Sequence, residues 1–351
     1  MQRVIVVGLG PIGVAVARAV RAQRDVRLVG LVDNDPGKHG KLLDDLISTP
    51  TTGQEPAGPD QITSLRVVTT IDEALAAAGG AGGADVAAVT TTSRFDAMAG
   101  TVRQCLGHGL HVVSTCEQMS WPRYRHAELA DALDAEAAAA GVTLLGTGVN
   151  PGFVMDTLAV VLAGMVRRVT KVRCVRRVDA SVRRGPLQQK IGATMSVERF
   201  KSLAAEGKMG HQGLAESVAM LAAGLGHCVE PGGVSETLEP VTTDQPRPSA
   251  LGLIEPGRVA GIHNVATWTS PSGGLTIELD LSMVVGLPDP FDKVRIEGPV
   301  SLMMKIPGSI PGDSATVASV INQIPNLPRV RPGLRTMLDM PPAGCANVDA
   351  E

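Results

Sequence analysis

Short apolar runs rich in β-branched residues alternate with longer stretches of helical periodicity over the first 150 residues. The apolar runs predict strands at residues 4–8, 27–33, 65–68, 85–91, 111–115 and 142–146. Helices are predicted at residues 12–24, after Asp35, and at residues 71–78, 94–107 and 124–140. Strands that alternate with helices in this way form parallel sheets with helices on both faces. We therefore predict an N-terminal, doubly wound α/β domain over residues 1–150.

The pattern changes after residue 150, where strand candidates become longer and more widely separated. They lie at residues 171–182, 259–269, 275–285 and 294–297, and helices at residues 197–206 and 213–224 interrupt them. This indicates a second, α+β domain over residues 151–311, built on an open mixed sheet that is mostly antiparallel. A last helix, at residues 313–323, is predicted to start at Asp313 as its N-cap. We expect residues 312–351 to pack back on the first domain and complete it.

Composition and charge narrow the classes of function. Hydrophobic residues make up 44% of the chain and charged residues 19%, as in ordinary globular proteins. The net charge of −3 gives no electrostatic reason to expect a nucleic acid or an acidic membrane surface as partner. No apolar run reaches the roughly 20 residues of a membrane helix, and no cleavage-like segment follows the apolar N-terminus. We expect a soluble, cytoplasmic protein with a small-molecule partner.

The five cysteines bear on metal and redox chemistry. They are odd in number, widely spaced and free of any CxxC pair. This spacing indicates neither a zinc site nor a disulfide framework, so no metal is predicted and a reducing compartment is favoured.

The sequence GLGPIG at residues 8–13 follows a predicted strand and opens a predicted helix. In that context the GxGxxG motif indicates dinucleotide binding by a Rossmann-type domain, because the glycines allow a tight turn and the pyrophosphate meets the helix N-terminus. A proline at the first helical position costs no hydrogen bond. The predicted cofactor-binding residues of this motif are Gly8, Gly10, Pro11, Ile12 and Gly13.

Asp33 ends the second predicted strand, 20 residues after the last glycine of the motif. A carboxylate at this position accepts hydrogen bonds from the adenosine ribose and repels a 2′-phosphate, which favours NAD over NADP. Lys38 and His39 follow closely and offer positive charge to a phosphate, so the cofactor is predicted as NAD or NADP.

Polar residues follow the fourth and fifth predicted strands, at the carboxyl edge where open α/β sheets bind ligands. Glu117 is the candidate catalytic residue, because a carboxylate there can hold an amine and act as a general base. The alternative is a glutamate that only complements a helix dipole.

Cys116 suggests a nucleophile like that of acylating aldehyde dehydrogenases, but a packed thiol is favoured because no activating partner is identified. The cofactor-binding candidates at this edge are Thr91, Thr92, Ser114 and Cys116.

Two further polar groups are candidates for binding substrate. Asn150 precedes Pro151, which is predicted to start a helix that Asn150 caps, and capping alone explains the asparagine. His211 lies between Gly210 and Gly213, which suggests a site loop, although an isolated histidine is more often a surface or structural residue.

Seven short stretches occur in an order and spacing that together are specific. They are residues 8–13 (GLGPIG), 114–117 (STCE), 148–156 (GVNPGFVMD), 190–192 (KIG), 210–217 (GHQGLAES), 311–316 (PGDSAT) and 332–337 (PGLRTM). On these stretches nearly the whole chain resembles the 2,4-diaminopentanoate dehydrogenase family and its relatives, the native amine dehydrogenases, which are similar at a distance to dihydrodipicolinate reductase.

The resemblance implies an NAD(P)-dependent oxidoreductase that acts on CH–NH2 groups. The reaction is the reversible oxidative deamination of an amine or diamino acid to a ketone and ammonia, with reductive amination as the reverse. It also implies that Glu117 is the active-site acid/base, that Asn150 and His211 line the substrate pocket between the domains, and that the protein is a homodimer through the sheet of the second domain. A second acid is expected after the glutamate, and Gln118 stands there instead, which leaves the preferred substrate charge open.

Two alternatives stay open at this point. One is a dihydrodipicolinate reductase-like enzyme acting on another C=N or C=C substrate, although that family's paired-histidine and lysine motif has no counterpart between His126 and His211. The other is a non-catalytic NAD(H)-binding protein. Four arginines are candidates for binding a substrate carboxylate, although each is equally well explained as a solvated strand residue. They are Arg176, Arg177, Arg183 and Arg184.

Overall fold

The computed structural model describes residues 1–46 and 64–345, and the chain divides into two compact units. The first unit comprises Met1–Gly152 and Gly312–Glu351, and the second comprises Phe153–Pro311. The α-helix predicted after Asp35 does not form in the described part of that stretch, where turns are followed by the short 3₁₀ helix Leu43–Leu46; residues 47–63 lie outside the described residues.

A seven-stranded, wholly parallel sheet forms the centre of the first unit. Its strands are β1 (Gln2–Val7), β2 (Val26–Val32), β3 (Val67–Val68), β4 (Val86–Val89), β5 (His111–Ser114), β6 (Thr143–Gly146) and β15 (Gly333–Arg335). Their order is β15-β6-β5-β4-β1-β2-β3, which contains the 3-2-1-4-5-6 order of a Rossmann sheet. The predicted fold class of this unit is confirmed, and β15 is an additional edge strand that was not predicted.

Helices cover both faces of this sheet, which is why the central strands β1 and β4 carry consecutive buried residues. One apolar layer packs under α2, α3 and α4, and the other packs under α1 and α9. The helices are α1 (Pro11–Ala22), α2 (Ile71–Ala77), α3 (Phe95–Gly107), α4 (Arg123–Ala140) and α9 (Gly312–Gln323).

The last helix packs against α1 as expected. The prediction that Asp313 caps it is wrong, because α9 already begins at Gly312 and places Asp313 inside its first turn. A carboxylate in that turn still complements the positive end of the helix dipole.

The second unit is built on a six-stranded mixed sheet of order β14-β13-β7-β12-β11-β8. Only the β7–β12 pairing is parallel among the described strands of this sheet. Its strands are β7 (Lys171–Asp179), β8 (Ser235–Thr242), β11 (Val259–Thr269), β12 (Thr276–Val284), β13 (Phe291–Glu297) and β14 (Leu302–Pro307), and β9 (Arg247–Ser249) pairs separately with β10 (Gly252–Ile254). The predicted mixed sheet is confirmed. The sequence patterns missed its two edge strands, β8 and β14.

Helices α5 and α8 pack on one face of this sheet, and α8 is buried on nearly all sides. The prediction that Pro151 starts a helix capped by Asn150 is wrong. Residues 150–156 form a turn with a cis Asn150–Pro151 peptide bond, and α5 begins only at Thr157. Asp156 caps it, because its Oδ1 accepts the Thr157 N–H at 2.6 Å. The helices of the unit are α5 (Thr157–Ala163), α6 (Gly185–Lys190), α7 (Val197–Ala205) and α8 (Leu214–Gly224).

Within residues 1–46 and 64–345, the structure contains no helix that combines the length and the apolar composition needed to cross a bilayer.

Candidate functional site

The candidate residues of the first unit lie along one edge of the parallel sheet, at the carboxyl ends of its central strands. Asp33 follows β2, the glycine motif follows β1, and Thr91 and Thr92 follow β4. Glu117 follows β5, and Asn150 follows β6. The strand order reverses at β1 and β4, and ligands of open α/β sheets bind at such a switch point.

The glycine motif has the backbone that a dinucleotide requires. Gly8 adopts a φ of +90°. A Cβ at Gly13 would lie 1.8 Å from the Gly8 carbonyl oxygen, so α1 can approach β1 this closely only without a side chain. Among the described residues, a Cβ at Gly10 would meet nothing within 4 Å, and Gly10, as the N-cap residue, offers no side chain to the α1 N-terminus. Open space beside uncapped helix N–H groups fits the pyrophosphate of NAD(P).

Thr90 holds this turn in place, and its role was not anticipated among the site residues. Its backbone N–H donates to the Val7 carbonyl at 2.8 Å, and its Oγ1 donates to the Gly8 carbonyl at 2.6 Å. The second of these bonds joins the end of β4 to the glycine turn. A hydroxyl residue at the carboxyl end of the strand beside β1 is the sequence signal that could have found it.

Asp33 is 7% exposed and points its carboxylate at the glycine turn. Its Oδ2 accepts the Leu9 N–H at 2.6 Å and the Lys38 Nζ at 2.8 Å, and its Oδ1 accepts the Asp35 N–H at 2.9 Å. Burial acts to raise the pKa of Asp33, but these hydrogen bonds outweigh it and hold the pKa below its usual value. Asp33 is therefore an anion, and hydrogen-bond donors already occupy most of the acceptor positions of its carboxylate.

The other candidates near β4 and β5 differ in how far they are exposed to solvent. Thr91 is exposed, and the Thr92 Oγ1 accepts the Arg94 N–H at 3.2 Å. Ser114 is buried, with its hydroxyl donating to the Val89 carbonyl at 2.8 Å and accepting the Cys116 N–H at 3.1 Å. The Cys116 side chain is 1% exposed and belongs to the apolar core of the first unit.

Glu117 is the first residue of a short 3₁₀ helix, Glu117–Ser120, directly after β5. It is half-buried, and its carbonyl oxygen accepts the Ser120 Oγ at 2.7 Å. A single 3₁₀ turn sums few peptide dipoles, so complementing a helix dipole is a weak explanation for a glutamate here.

The neighbouring Gln118 ties two site loops together. Its Oε1 accepts the Phe95 N–H at 3.0 Å and lies 3.3 Å from the His126 Nε2, and its backbone N–H donates to the Ser93 carbonyl at 3.3 Å. Gln118 thus satisfies one N–H in the first turn of α3, where the N-cap residue Arg94 makes no side-chain cap bond. The carboxamide that replaces the expected second acid has a positioning role.

The two substrate-binding candidates lie in different units. Asn150 is 9% exposed, at the end of the first unit, and the adjacent Val149 N–H donates to the Thr316 Oγ1 of α9 at 3.3 Å. His211 is half-buried in the second unit, just before α8. Its flanking glycines, Gly210 and Gly213, have φ values of +95° and +96°. The structure therefore groups Asn150 with Glu117 on one sheet edge, and places His211 on a loop of the second unit.

Comparison with known proteins gives the family. The model of the 2,4-diaminopentanoate dehydrogenase C-terminal domain matches residues 153–351. A 2,4-diaminopentanoate dehydrogenase from Acetoanaerobium sticklandii is 31% identical over 347 residues, covering 97% of this chain and 93% of the relative. The chain belongs to the 2,4-diaminopentanoate dehydrogenase family. The resemblance derived from the seven sequence stretches is confirmed.

Solved structures share the fold of this 2,4-diaminopentanoate dehydrogenase family member. The amine dehydrogenase from Mycobacterium smegmatis matches with a TM-score of 0.83 at 23% identity, over 98% of this chain and 97% of that chain. A probable dehydrogenase from Thermotoga maritima matches with a TM-score of 0.51 at 14% identity, over 86% and 74% of the two chains. Both likenesses support the Rossmann-type α/β assignment.

The four arginines that are candidates for binding a substrate carboxylate lie in different environments in this family member. Arg176 is 2% exposed, and its guanidinium donates to the Asp292 carboxylate at 2.7 Å and to the Ile310 carbonyl at 2.8 Å. Arg177 lies over the Phe291 ring, with its Cζ 5.9 Å from the ring centroid. These two side chains are therefore engaged within the second unit. The other two, Arg183 and Arg184, are half-buried in the segment after β7.

Within residues 1–46 and 64–345, no cluster of three or more histidine, cysteine or acidic side chains able to hold a metal ion occurs. None of the five cysteines, all of which lie in these ranges, forms a disulfide.

Proposed function

We propose that this protein is an NAD(P)-dependent amine dehydrogenase that oxidatively deaminates an amine or a diamino acid resembling 2,4-diaminopentanoate. The products are a ketone and ammonia, and the reverse reaction is reductive amination. The observation that carries the proposal is the membership of nearly the whole chain in the 2,4-diaminopentanoate dehydrogenase family. The glycine turn, the buried Asp33 and the half-buried Glu117 on one sheet edge support it.

The cofactor would be held by the glycine turn and by Asp33. The open space at Gly10 and the uncapped N-terminus of α1 receive the pyrophosphate, and Asp33 faces the adenosine ribose. The bound dinucleotide supplies the hydride acceptor for amine oxidation. We propose that Thr91, Thr92, Ser114 and Cys116 contribute to the nicotinamide half of this site.

Glu117 would act on the nitrogen of the substrate. Its carboxylate holds the substrate ammonium and removes one proton, because only the neutral amine has the lone pair that drives loss of hydride from the adjacent carbon. The resulting iminium forms beside Glu117, whose carboxyl group now carries that proton. Water then adds to the iminium carbon and releases one proton to solvent. Glu117 returns its proton to the nitrogen, and the C–N bond breaks as the hydroxyl proton is lost, which gives the ketone and ammonia.

Asn150 and His211 are proposed as substrate-binding residues, with an amine or ketone and ammonia as the small-molecule partners. We also propose that the protein assembles as a homodimer through the sheet of the second unit. Both proposals come from the family, and the open face of that sheet supports the second.

The test of this function is the Glu117→Gln variant. Reduced nicotinamide is followed by absorbance at alkaline pH with NAD⁺ or NADP⁺ and 2,4-diaminopentanoate or simple secondary-carbon amines, with lactate as a hydroxy-acid control. We expect amine-dependent reduction by the wild type and at least a ~100-fold lower rate in Glu117→Gln, because the amide cannot accept the proton.

The matched control is Glu128→Gln, which removes an exposed carboxylate from α4 and leaves turnover unchanged. Dinucleotide affinity stays nearly the same in both variants. An unchanged rate in Glu117→Gln contradicts the assigned role. Silence of the wild type with every amine, despite dinucleotide binding, contradicts the amine dehydrogenase function.

A further inference from the structure

The turn after β2 places a lysine directly on the ribose-facing carboxylate. The Asp35 Oδ1 accepts the Gly37 N–H at 2.9 Å, and the Lys38 N–H donates to the Asp35 carbonyl at 3.0 Å. These two bonds close a tight turn in the sequence DNDPGK, so the direction in which Lys38 leaves the backbone is set locally. Its Nζ reaches Asp33 at 2.8 Å and lies 3.9 Å from Asp35.

Lys38 affects how strongly Asp33 discriminates between NAD and NADP. A carboxylate at the end of β2 selects NAD because it accepts the ribose hydroxyls and repels a 2′-phosphate. Here the carboxylate already accepts two backbone N–H groups and one ammonium, so its negative charge is locally compensated. The repulsion that would exclude NADP is correspondingly weak.

The Lys38 side chain is also suited to receive a phosphate. It is 26% exposed, whereas the Asp33 side chain is 8% exposed, so the ammonium lies on the solvent side of the carboxylate. Lysine has a flexible stem and three donors, which allows one ammonium to bond a carboxylate and a phosphate oxygen together. The positive charge therefore lies where the 2′ position of an adenosine ribose held by Asp33 would come.

We propose that Lys38 is a specificity-determining residue that binds the 2′-phosphate of NADP(H), and that through it the enzyme accepts both NAD(H) and NADP(H). The inference rests on the proposed function, because it takes the glycine turn and Asp33 as the dinucleotide site. It goes further in assigning the choice between the two dinucleotides to one side chain.

Titration calorimetry of the full chain tests the assignment without requiring turnover. The ligands are NADPH, NADH, and their adenosine ends, adenosine 2′,5′-bisphosphate and AMP. We expect Lys38→Met to raise the Kd for NADPH and for the bisphosphate at least ~10-fold, because a charge-assisted hydrogen bond to phosphate is lost. The Kd for NADH and for AMP changes less than ~3-fold, since neither carries the 2′-phosphate.

Two further variants distinguish the effect of the Lys38 charge from an effect on folding. Lys41→Met removes an exposed lysine three residues later and leaves all four affinities unchanged. Lys38→Arg keeps the cation and retains the affinity for the bisphosphate within ~3-fold. Circular dichroism and the thermal midpoint show that each variant is folded.

Each outcome bears on the proposal. Equal weakening of NADPH and NADH by Lys38→Met overturns it, because the lysine then only orients Asp33. Unchanged affinity for the bisphosphate overturns it as well. If wild type binds and reduces NAD⁺ with an amine while NADPH does not bind, only this inference fails. If neither dinucleotide binds, the proposed function fails with it.

Discussion

At the scale of single residues, the site depends on side chains that contact other site loops. Thr90 anchors the glycine turn through the Gly8 carbonyl, and Gln118 joins the loop after β4 to the loop that carries Glu117. Such residues restrict the geometry of a catalytic group although they do not touch the reacting atoms. Their effect is expected on turnover more than on cofactor affinity.

Gln118→Ala tests this positioning role. The variant leaves the Phe95 N–H without its acceptor and frees the turn that holds Glu117, so we expect kcat to fall about 10-fold, with the Kd for the dinucleotide unchanged. Gln118→Glu restores kcat, because a carboxylate oxygen accepts the same hydrogen bonds. Steady-state kinetics and dinucleotide titration give both quantities. A kcat equally low in both variants would show that hydrogen-bond acceptance is not what matters at this position.

At the scale of elements, the apolar runs of the sequence predict the central strands but not the edge strands. β1 and β4 are buried on both faces, so their residues are apolar in succession and the pattern is unambiguous. β8 and β14 lie at the edges of the second sheet and are largely exposed. β15 has three residues and is defined by its pairing with β6, in which the paired residues lie 190 positions apart in the chain, as Gly333 and Thr143 do. Pairing over such a separation leaves no local periodicity to detect.

The start of β5 carries a pH-dependent contact between two strands. The Thr143 N–H at the start of β6 donates to the His111 Nδ1 at 3.0 Å, so this nitrogen must be unprotonated. Burial lowers the pKa of His111 below its ordinary value. The folded state thus binds fewer protons than the unfolded state. The stabilisation is present above the ordinary imidazole pKa of about 6.5 and is lost as the pH falls below it.

His111→Asn tests this contact by urea unfolding between about pH 8 and about pH 5. The asparagine oxygen accepts the Thr143 N–H but does not titrate, so we expect the variant to lose about 1 kcal/mol less unfolding free energy than wild type over this range. His39→Asn, which changes an exposed histidine of the same unit, keeps the wild-type pH dependence. Identical slopes in wild type and His111→Asn would contradict the assignment.

At the scale of the whole molecule, the open face of the second sheet is the surface to test for assembly. Helices α5 and α8 cover the other face. The open face carries partly exposed polar and charged side chains, among them Asp280, which contacts the His263 Nε2 at 3.0 Å and forms an ion pair with Arg173 at 3.2 Å. Val265 lies between these charges on β11, opposite Asp280. A face of mixed sign with central apolar residues can match a second copy of itself.

We predict a homodimer with a mass close to twice the 36.3 kDa of one chain, measured by light scattering after size exclusion. Val265→Lys inserts a charge into the middle of the open face and should shift the protein towards the monomer, because an unpaired buried charge is costly in an interface. Ala127→Lys adds the same charge to an exposed position of α4 in the first unit and should leave the dimer intact. A monomeric wild type would contradict the prediction.

The sequence by itself determined the parallel α/β fold of the first unit, the dinucleotide motif and the family. These depend on local signals, namely apolar runs, glycines at fixed spacing and short ordered stretches. Only the tertiary structure decided that Gln118 supports the first turn of α3, that Lys38 covers the carboxylate of Asp33, and that Arg176 is engaged by Asp292. The partners of Gln118 and Arg176 lie 23 and 116 residues away in the chain, and the pairing of Lys38 depends on how one turn closes. No periodicity or motif encodes such pairings, because they form only once strands, turns and helices have packed.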